Sequence, residues 1–375
     1  MRKCISLFFI FYCVCTLFSS PRDLSELYQN GHIRIVEEMI IDQSSLPEDV
    51  LLETPVNITW GQDDCIYVCD FKANNIKKLE ESGRYLKTIG NKGQGPGEFY
   101  RPSGIAVSKN RIVVWDMRNS RLCSLSLDGK FIKSIHIMPS EGIPRKFRVL
   151  PNGDFVIALE KIYYKDFEKP QDFILAVYSP DLIKKVTIYS HPIWRNKYTR
   201  IGGVFTNIIQ PYSPDVHWDI NAEGNIVVGY SEDYLIEIYS PKGEKLDSFS
   251  HYYNPVKVTK KDKNAFFSSI RSNINRKEFN KEVIKRTKFP KFKPFFNEIR
   301  TDSEGNILVF IYRDDPKEKM KHFHAFNSNG NFLGEVKVLE GIFPSYGTKI
   351  RGNIFWSLKI DKKGYYTIVK NKITN

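Results

Sequence analysis

His322 and His324 stand two residues apart in an extended apolar segment, so both rings fall on one side of a strand, the geometry of a chelating pair. Zinc needs a third ligand, and neither a carboxylate nor another histidine lies close in sequence, so a packing role is the expectation. The remaining histidines are scattered, and H-E-x-x-H, G-x-S-x-G, P-loop and paired C-x-x-C motifs are all missing from the chain. No catalytic residue, no metal ligand and no cofactor is therefore assigned. Gly93-Gln94-Gly95-Pro96-Gly97-Glu98-Phe99 is glycine-rich, but a phosphate-cradling loop opens a helix, whereas here Phe99 leads through Pro102 into a strand. Its glycines instead suit a tight crossing between two sheets. Asp70 and Asp116 end strands just before Asn74 and Asn119, where Asx-turn capping is the expected role.

Two other groups have chemistry suited to recognition. Trp194, Arg195, Tyr198 and Arg200 share one long connection, and aromatic and arginine side chains there suit sugar stacking or protein contact, with folding back over the sheet as the competing role. Residues 254–300 carry 14 lysines and arginines against four carboxylates, Asp262, Glu278, Glu282 and Glu298. Within them Phe266, Phe267, Ile270 and Ile274 recur at helical spacing, and Phe279, Val283 and Ile284 repeat it out of phase, which predicts one or two helices in a basic insertion at 252–288. Such a stretch can meet anionic glycans, lipid headgroups or nucleic acid.

The elements that hold these groups follow from a repeat. Ile66–Cys69, Ile112–Trp115, Phe155–Ala158, Ile226–Gly229, Ile307–Phe310 and Ile354–Ser357 each follow a polar turn, with starts 46, 43, 71, 81 and 47 residues apart. A second turn series, at Ser82-Gly83, Asp128-Gly129, Pro180-Asp181, Lys242-Gly243 and Asn329-Gly330, leads into further strands. Two hairpin turns per period make four antiparallel strands per unit, the plan of a propeller blade. The sixth unit lacks an outer strand, and Ile33–Ile41 is a strand-like stretch free to supply it. The predicted fold is all-β, a six-bladed β-propeller closed by an N-terminal strand, with the helical insertion between blades four and five.

The chain has 375 residues, a net charge of +13, 41% hydrophobic and 14% aromatic residues, which excludes a disordered, collagen-like or small disulfide-bonded protein. Arg2 and Lys3 precede an apolar run from Ile5 to Phe18 and then Ser19, Ser20 and Pro21, the order of an export signal over 1–20. That run is too short to span a bilayer as a helix, and no later segment is long and apolar enough. Residues 21–375 are read as one domain, exported to the periplasm or cell surface. Tyr12 and Val14 fit poorly before a lipidated cysteine, so a lipid anchor is not supported. Export disfavours nucleic acid as a partner. Cys65, Cys69 and Cys123 lack zinc-like spacing and are expected to be buried thiols. Without Arg2 and Lys3 the balance is +11, of which residues 254–300 carry +10, so the rest of the domain is near neutral.

Tyr67-Val68-Cys69-Asp70, Val113-Val114-Trp115-Asp116 and above all Gly93–Phe99 with Arg101-Pro102-Ser103-Gly104-Ile105-Ala106-Val107 resemble NHL-repeat propellers, and more closely a secreted bacterial six-bladed β-propeller family. These motifs cover about a quarter of the chain. Enzymes built on such rings hold a metal in the channel through residues of the innermost strands. The resemblance places Asn57, Ser103, Arg145, His217, Asn297 and Tyr346 at the comparable rim positions. One histidine and no carboxylate make a poor metal cage but a reasonable polar binding rim. The expected function is non-enzymatic binding of a protein or carbohydrate partner, with possible attachment to an anionic surface through the insertion. The alternative is a metal-dependent hydrolase or lyase in the channel.

Overall fold

The computed structural model describes residues 23–375 except 139, 164–165, 168, 272–276, 314–320, 342 and 344–347. The export signal read at 1–20, together with Ile274 and Tyr346, lies outside the described residues.

The chain is mostly antiparallel sheet, because buried β-branched runs alternate with short polar turns. Helix α1 (Leu24–Gln29), capped by Asp23, and strand β1 (His32–Ile41) come first. The first four-stranded sheet is β2 (Pro55–Trp60), β3 (Ile66–Asp70), β4 (Asn75–Leu79) and β5 (Tyr85–Ile89). The second is β6 (Pro102–Val107), β7 (Ile112–Asp116), β8 (Arg121–Leu125) and β9 (Phe131–His136), and the third β10 (Ile143–Val149), β11 (Phe155–Lys161), β12 (Gln171–Tyr178) and β13 (Lys184–Ile193). A separate hairpin, β14 (Asn196–Ile201) and β15 (Val204–Ile209), occupies the connection that carries Trp194. The fourth sheet is β16 (Val216–Ile220), β17 (Ile226–Tyr230), β18 (Leu235–Tyr239) and β19 (Lys245–Ser250), followed by helices α2 (Lys260–Arg271) and α3 (Lys277–Arg286). The last sheet has seven strands: β20 (Phe296–Thr301), β21 (Ile307–Ile311), β22 (His322–Phe326) and β23 (Phe332–Glu340), then β1, then β25 (Tyr366–Thr374) and β24 (Ile354–Ile360).

Apolar layers fill the spaces between successive sheets. Tyr67 and Ile76 meet Ile105 and Val114, and the last layer returns to the first sheet, where Trp356 and Ile368 pack with Ile58 and Val68. Strand β1 pairs antiparallel with β25 from Arg34↔Thr374 to Ile41↔Ile368 and parallel with β23 at His32↔Lys337, so both its edges are used. Its Ile33 and Ile35 are buried with Phe323, Val338, Phe355 and Ile373. Turn chemistry is strict where sheets touch. Gly330 has φ +75°, and a Cβ there would come 2.5 Å from the Phe249 ring.

The glycine-rich crossing is held by a buried arginine. Arg121 Nε donates to Asp116 Oδ2 at 3.0 Å, while its Nη atoms donate to the carbonyls of Gln94, Gly95 and Glu98 at 2.8–3.0 Å. Asp116 also accepts from the Tyr100 N–H and from Asn119, and Asp70 accepts from four backbone N–H groups at 2.8–3.2 Å. Both aspartates thus organise backbone. Arg121→Met is expected to cost about 3–5 kcal/mol by stranding the Asp116 carboxylate. Limited proteolysis of that variant should cut first within 91–99; first cleavage elsewhere would argue against this anchoring. Cys69 and Cys123 are buried, as their apolar surroundings imply, and burial pushes the Cys123 thiol up to about 12.

Candidate functional site

The first strand of each sheet runs along a central channel, lined by β2, β6, β10, β16, β20 and residues 348–351. Four of these strands carry a register shift at their entrance, at Pro55/Asn57, Pro102/Gly104, Pro144/Lys146 and Phe296/Glu298. Three of the shifts sit at a proline in the first or second position of the strand, which has no N–H for the ladder. Each bulge reverses which side chains face the channel beyond it.

The channel holds two chambers. The narrower, about 160 Å³, is lined by Asn57, Arg145, Lys146, Arg148, Asp219, Glu298, Arg300, Thr301 and Lys349 with Ile58, Thr348 and Ile350. The broader, about 540 Å³, lies toward the turns that follow the first strands and shares Asn57, Ile58, Arg148, Thr348, Lys349 and Ile350 with it. The narrower chamber is walled by an ionic girdle, of which Arg148 and Lys349 also border the broader one. Arg148 Nε donates to Asp219 Oδ1 at 2.7 Å, and the Thr301 N–H donates to Asp219 Oδ2 at 3.2 Å. Lys146 Nζ donates to the Trp218 carbonyl at 2.6 Å and lies 3.4 Å from Glu298 Oε1. Lys349 Nζ reaches the carbonyls of Ile220 and Asn221 at 2.9 and 3.4 Å. Arg300 lies over the rings of Phe310 and Phe343.

Cations outnumber carboxylates in the girdle, and the titration tendencies record it. Burial favours the neutral form of Asp219, but Arg148, Lys146 and Lys349 outweigh it and hold the carboxyl down at about 2. Burial likewise raises Glu298 less than Lys146 and Arg300 lower it. Lys146 and Lys349 are both pushed below the ordinary lysine value, first by burial and then by neighbouring arginines, against the pull of Glu298 and Asp219. A site of this kind attracts an anion and repels a divalent cation.

Of the rim positions, Asn57 and Arg145 line the chambers, Arg145 also donating to Glu160 at 3.0 Å. Ser103 lies on β6 and His217 on β16, the latter edge-on to Phe296 at 5.7 Å with its ring held below the usual histidine value by burial. Asn297 is on β20, and neither of its side-chain polar atoms has a partner among the described residues. The loop residues separate. Trp194 is 51% exposed, whereas Arg195 pairs with Glu160 and Asp215, and Tyr198 is buried on β14, stacked on Phe205. His322 and His324 are buried; the Tyr234 hydroxyl lies 2.9 Å from His324 Nδ1, and burial with His251 and Arg313 lowers that ring to about 3. Among the described residues no group of three His, Cys, Asp or Glu side chains could hold a metal ion.

At the start of the inner strands, the connections into β16 and β20 carry the hairpin and the two helices. Lys260, Lys261 and Lys263 on α2, Lys281 and Lys285 on α3, and the flanking Lys257, Lys288 and Lys291 are exposed. Two carboxylates of the insertion are engaged: Asp262 is buried 3.0 Å from Lys293 and caps α2 through Thr259, and Glu282 pairs with Arg286. Arg286 also donates to Thr199, tying α3 to the hairpin. No helix among the described residues is long and apolar enough to cross a membrane.

Residues 46–141 match the model of a family described as a 6-bladed beta-propeller, which bears out the resemblance carried by the motifs between Tyr67 and Val107. An exported protein from Bacteroides fragilis NCTC 9343 has a similar solved structure, with 13% identity, 92% of this chain and 95% of that chain covered and a TM-score of 0.51, a likeness of fold. A member of the duf4221 family from Bacteroides vulgatus aligns at 12% identity over 92% and 99% of the two chains with a TM-score of 0.46. The virginiamycin B lyase of Staphylococcus aureus aligns at 11% identity over 92% and 99% with a TM-score of 0.42. No curated protein matches this sequence.

Proposed function

We propose that this propeller, like the family its residues 46–141 resemble, has six blades, the sixth made of residues 348–351, β24, β25 and β1, with α2 and α3 inserted between the fourth and fifth. It acts as an exported, non-enzymatic binding protein that engages an acidic carbohydrate or acidic protein at the cell envelope. The face bearing α2, α3 and the β14–β15 hairpin makes the contact. One observation carries this reading: the exposed lysines of 257–291 crowd one insertion whose described carboxylates are already engaged. The export signal at 1–20 and the exposed Trp194 beside Lys197 and Lys288 support it. The alternative, a metal-dependent hydrolase or lyase, would require a divalent ion among Lys146, Arg148, Arg300 and Lys349, whose charges oppose it.

Residues 21–375 are expected to be retained on immobilised polygalacturonate and not on a neutral glucan, with affinity falling at least tenfold between 50 and 500 mM salt, since released counterions drive such binding. Replacing Lys257, Lys260, Lys285 and Lys288 together by Gln should remove most of the retention while leaving the melting temperature unchanged. Salt-insensitive retention, or full retention by the variant, would overturn the assignment.

A further inference from the structure

The broader channel chamber is a second place where the molecule is prepared for a ligand, independent of the lysine face. Its volume of about 540 Å³ falls within the range of small-molecule sites. Its walls carry an apolar set, Ile58, Ile105, Val107, Phe147, Val149 and Ile220, from four different strands, beside polar residues such as Asn57, Thr59 and Thr348. Its charged lining consists of Arg148, Lys349 and Arg351, and no carboxylate is among the described residues that line it. Arg148 is bonded to Asp219 and Arg351 to Asp64, each outside the lining. Lys349 is held by the backbone carbonyls of Ile220 and Asn221 and forms no ion pair with a carboxylate among the described residues.

Trp60 and Gln62 also line this chamber, with the Arg351 guanidinium over the Trp60 ring. The mouth is reachable, because Pro151, Ala222 and Ser303 at the turn end are exposed.

We propose that this chamber binds an apolar organic monoanion, with its acidic head on Lys349 and Arg148 and its hydrocarbon body against Ile58, Ile105, Val107 and Phe147. Apolar walls alone would take any hydrophobic molecule, and cations alone would take inorganic anions. The combination selects a ligand that satisfies both, since a charge-assisted hydrogen bond from a desolvated lysine strengthens in low dielectric while the chain buries apolar area.

Isothermal titration of residues 21–375 with decanoate, decan-1-ol and sodium sulfate tests this. One decanoate per chain is expected, with decanol and sulfate each at least tenfold weaker. Lys349→Met should weaken decanoate at least tenfold and leave decanol unchanged, without altering salt-dependent retention on polygalacturonate, so the two sites fail separately. Ala222→Trp, an exposed substitution at the mouth, should weaken decanoate and decanol together and serves as the test should the lysine variant not fold. Equal binding of decanoate and decanol, sulfate binding as tight as decanoate, or decanoate binding unchanged in the folded variants would each overturn the proposal.

Discussion

A chain lacking residues 32–41 is expected to lose cooperative thermal unfolding altogether, the largest effect of any change considered. Strand β1 is hydrogen-bonded along both edges, to β25 and to β23, so removing it leaves two open strand edges. It also withdraws Ile33, Ile35 and Ile41 from two different apolar layers. Each buried isoleucine reduced to alanine costs about 2–5 kcal/mol, and a domain's whole stability is about 5–15 kcal/mol. Differential scanning calorimetry of the deletion should show no sharp endotherm, and Ile35→Ala alone should lower the melting temperature while keeping a single transition. An unchanged melting curve in the deletion would sink the closing role of β1.

The second large effect concerns Asp219. Its carboxylate accepts from Arg148 and from the Thr301 N–H, and it is the carboxylate that acts most strongly on Lys349 and the second, after Glu298, that acts on Lys146. Asp219→Asn should cost about 3–5 kcal/mol, because it leaves buried cations uncompensated. The pH dependence has a definite sign. Asp219 titrates at about 2 in the folded protein, below the ordinary value of 3.8. Its contribution is therefore full above pH 4 and is lost as pH falls through 2. Chemical denaturation of the wild type should show stability dropping over that window, and Asp219→Asn should show a flatter slope there. Identical slopes in the two proteins would mean that Asp219 is not held by the girdle.

Much of the fold was legible from turn chemistry. Five of the six runs, from Ile66 to Phe310, lie in the second strand of a sheet, because a strand with both faces buried must read as a continuous apolar run; the sixth, Ile354–Ser357, lies in β24, and Ile33–Ile41 pairs with β25 beside it. The helical spacing on either side of the phase slip corresponds to α2 and α3, with 272–276 outside the described residues. The connection at 190–213 was legible only as extra length; β13 runs on to Ile193 and a hairpin follows.

The channel was less legible. The rim positions implied by the resemblance include Asn57 and Arg145 but pass over Lys146, Arg148, Asp219, Glu298, Arg300 and Lys349. Apart from Lys349, these residues sit in short polar-apolar strands that look like ordinary half-exposed edges. The entrance bulges break the simple alternation, and the partners lie 71 or more residues apart, as with Arg148 and Asp219. The one available signal was the set of prolines at 55, 102 and 144, in the first or second position of their strands. Arg195 shows the reverse: an arginine beside a tryptophan reads as a contact residue, while its carboxylate partners Glu160 and Asp215 are fixed by tertiary packing.

The pairing of β1 with β25 also sets the order in which the molecule can be finished. Arg34 meets Thr374, so the first strand to be synthesised waits about 340 residues for its partner, on the order of tens of seconds at ordinary rates of synthesis. Until then one edge of β1 has no partner, although β23 can already pair with the other. A chain that stops before residues 366–375 keeps that edge open. The seam thus acts as a check that β25 has been made.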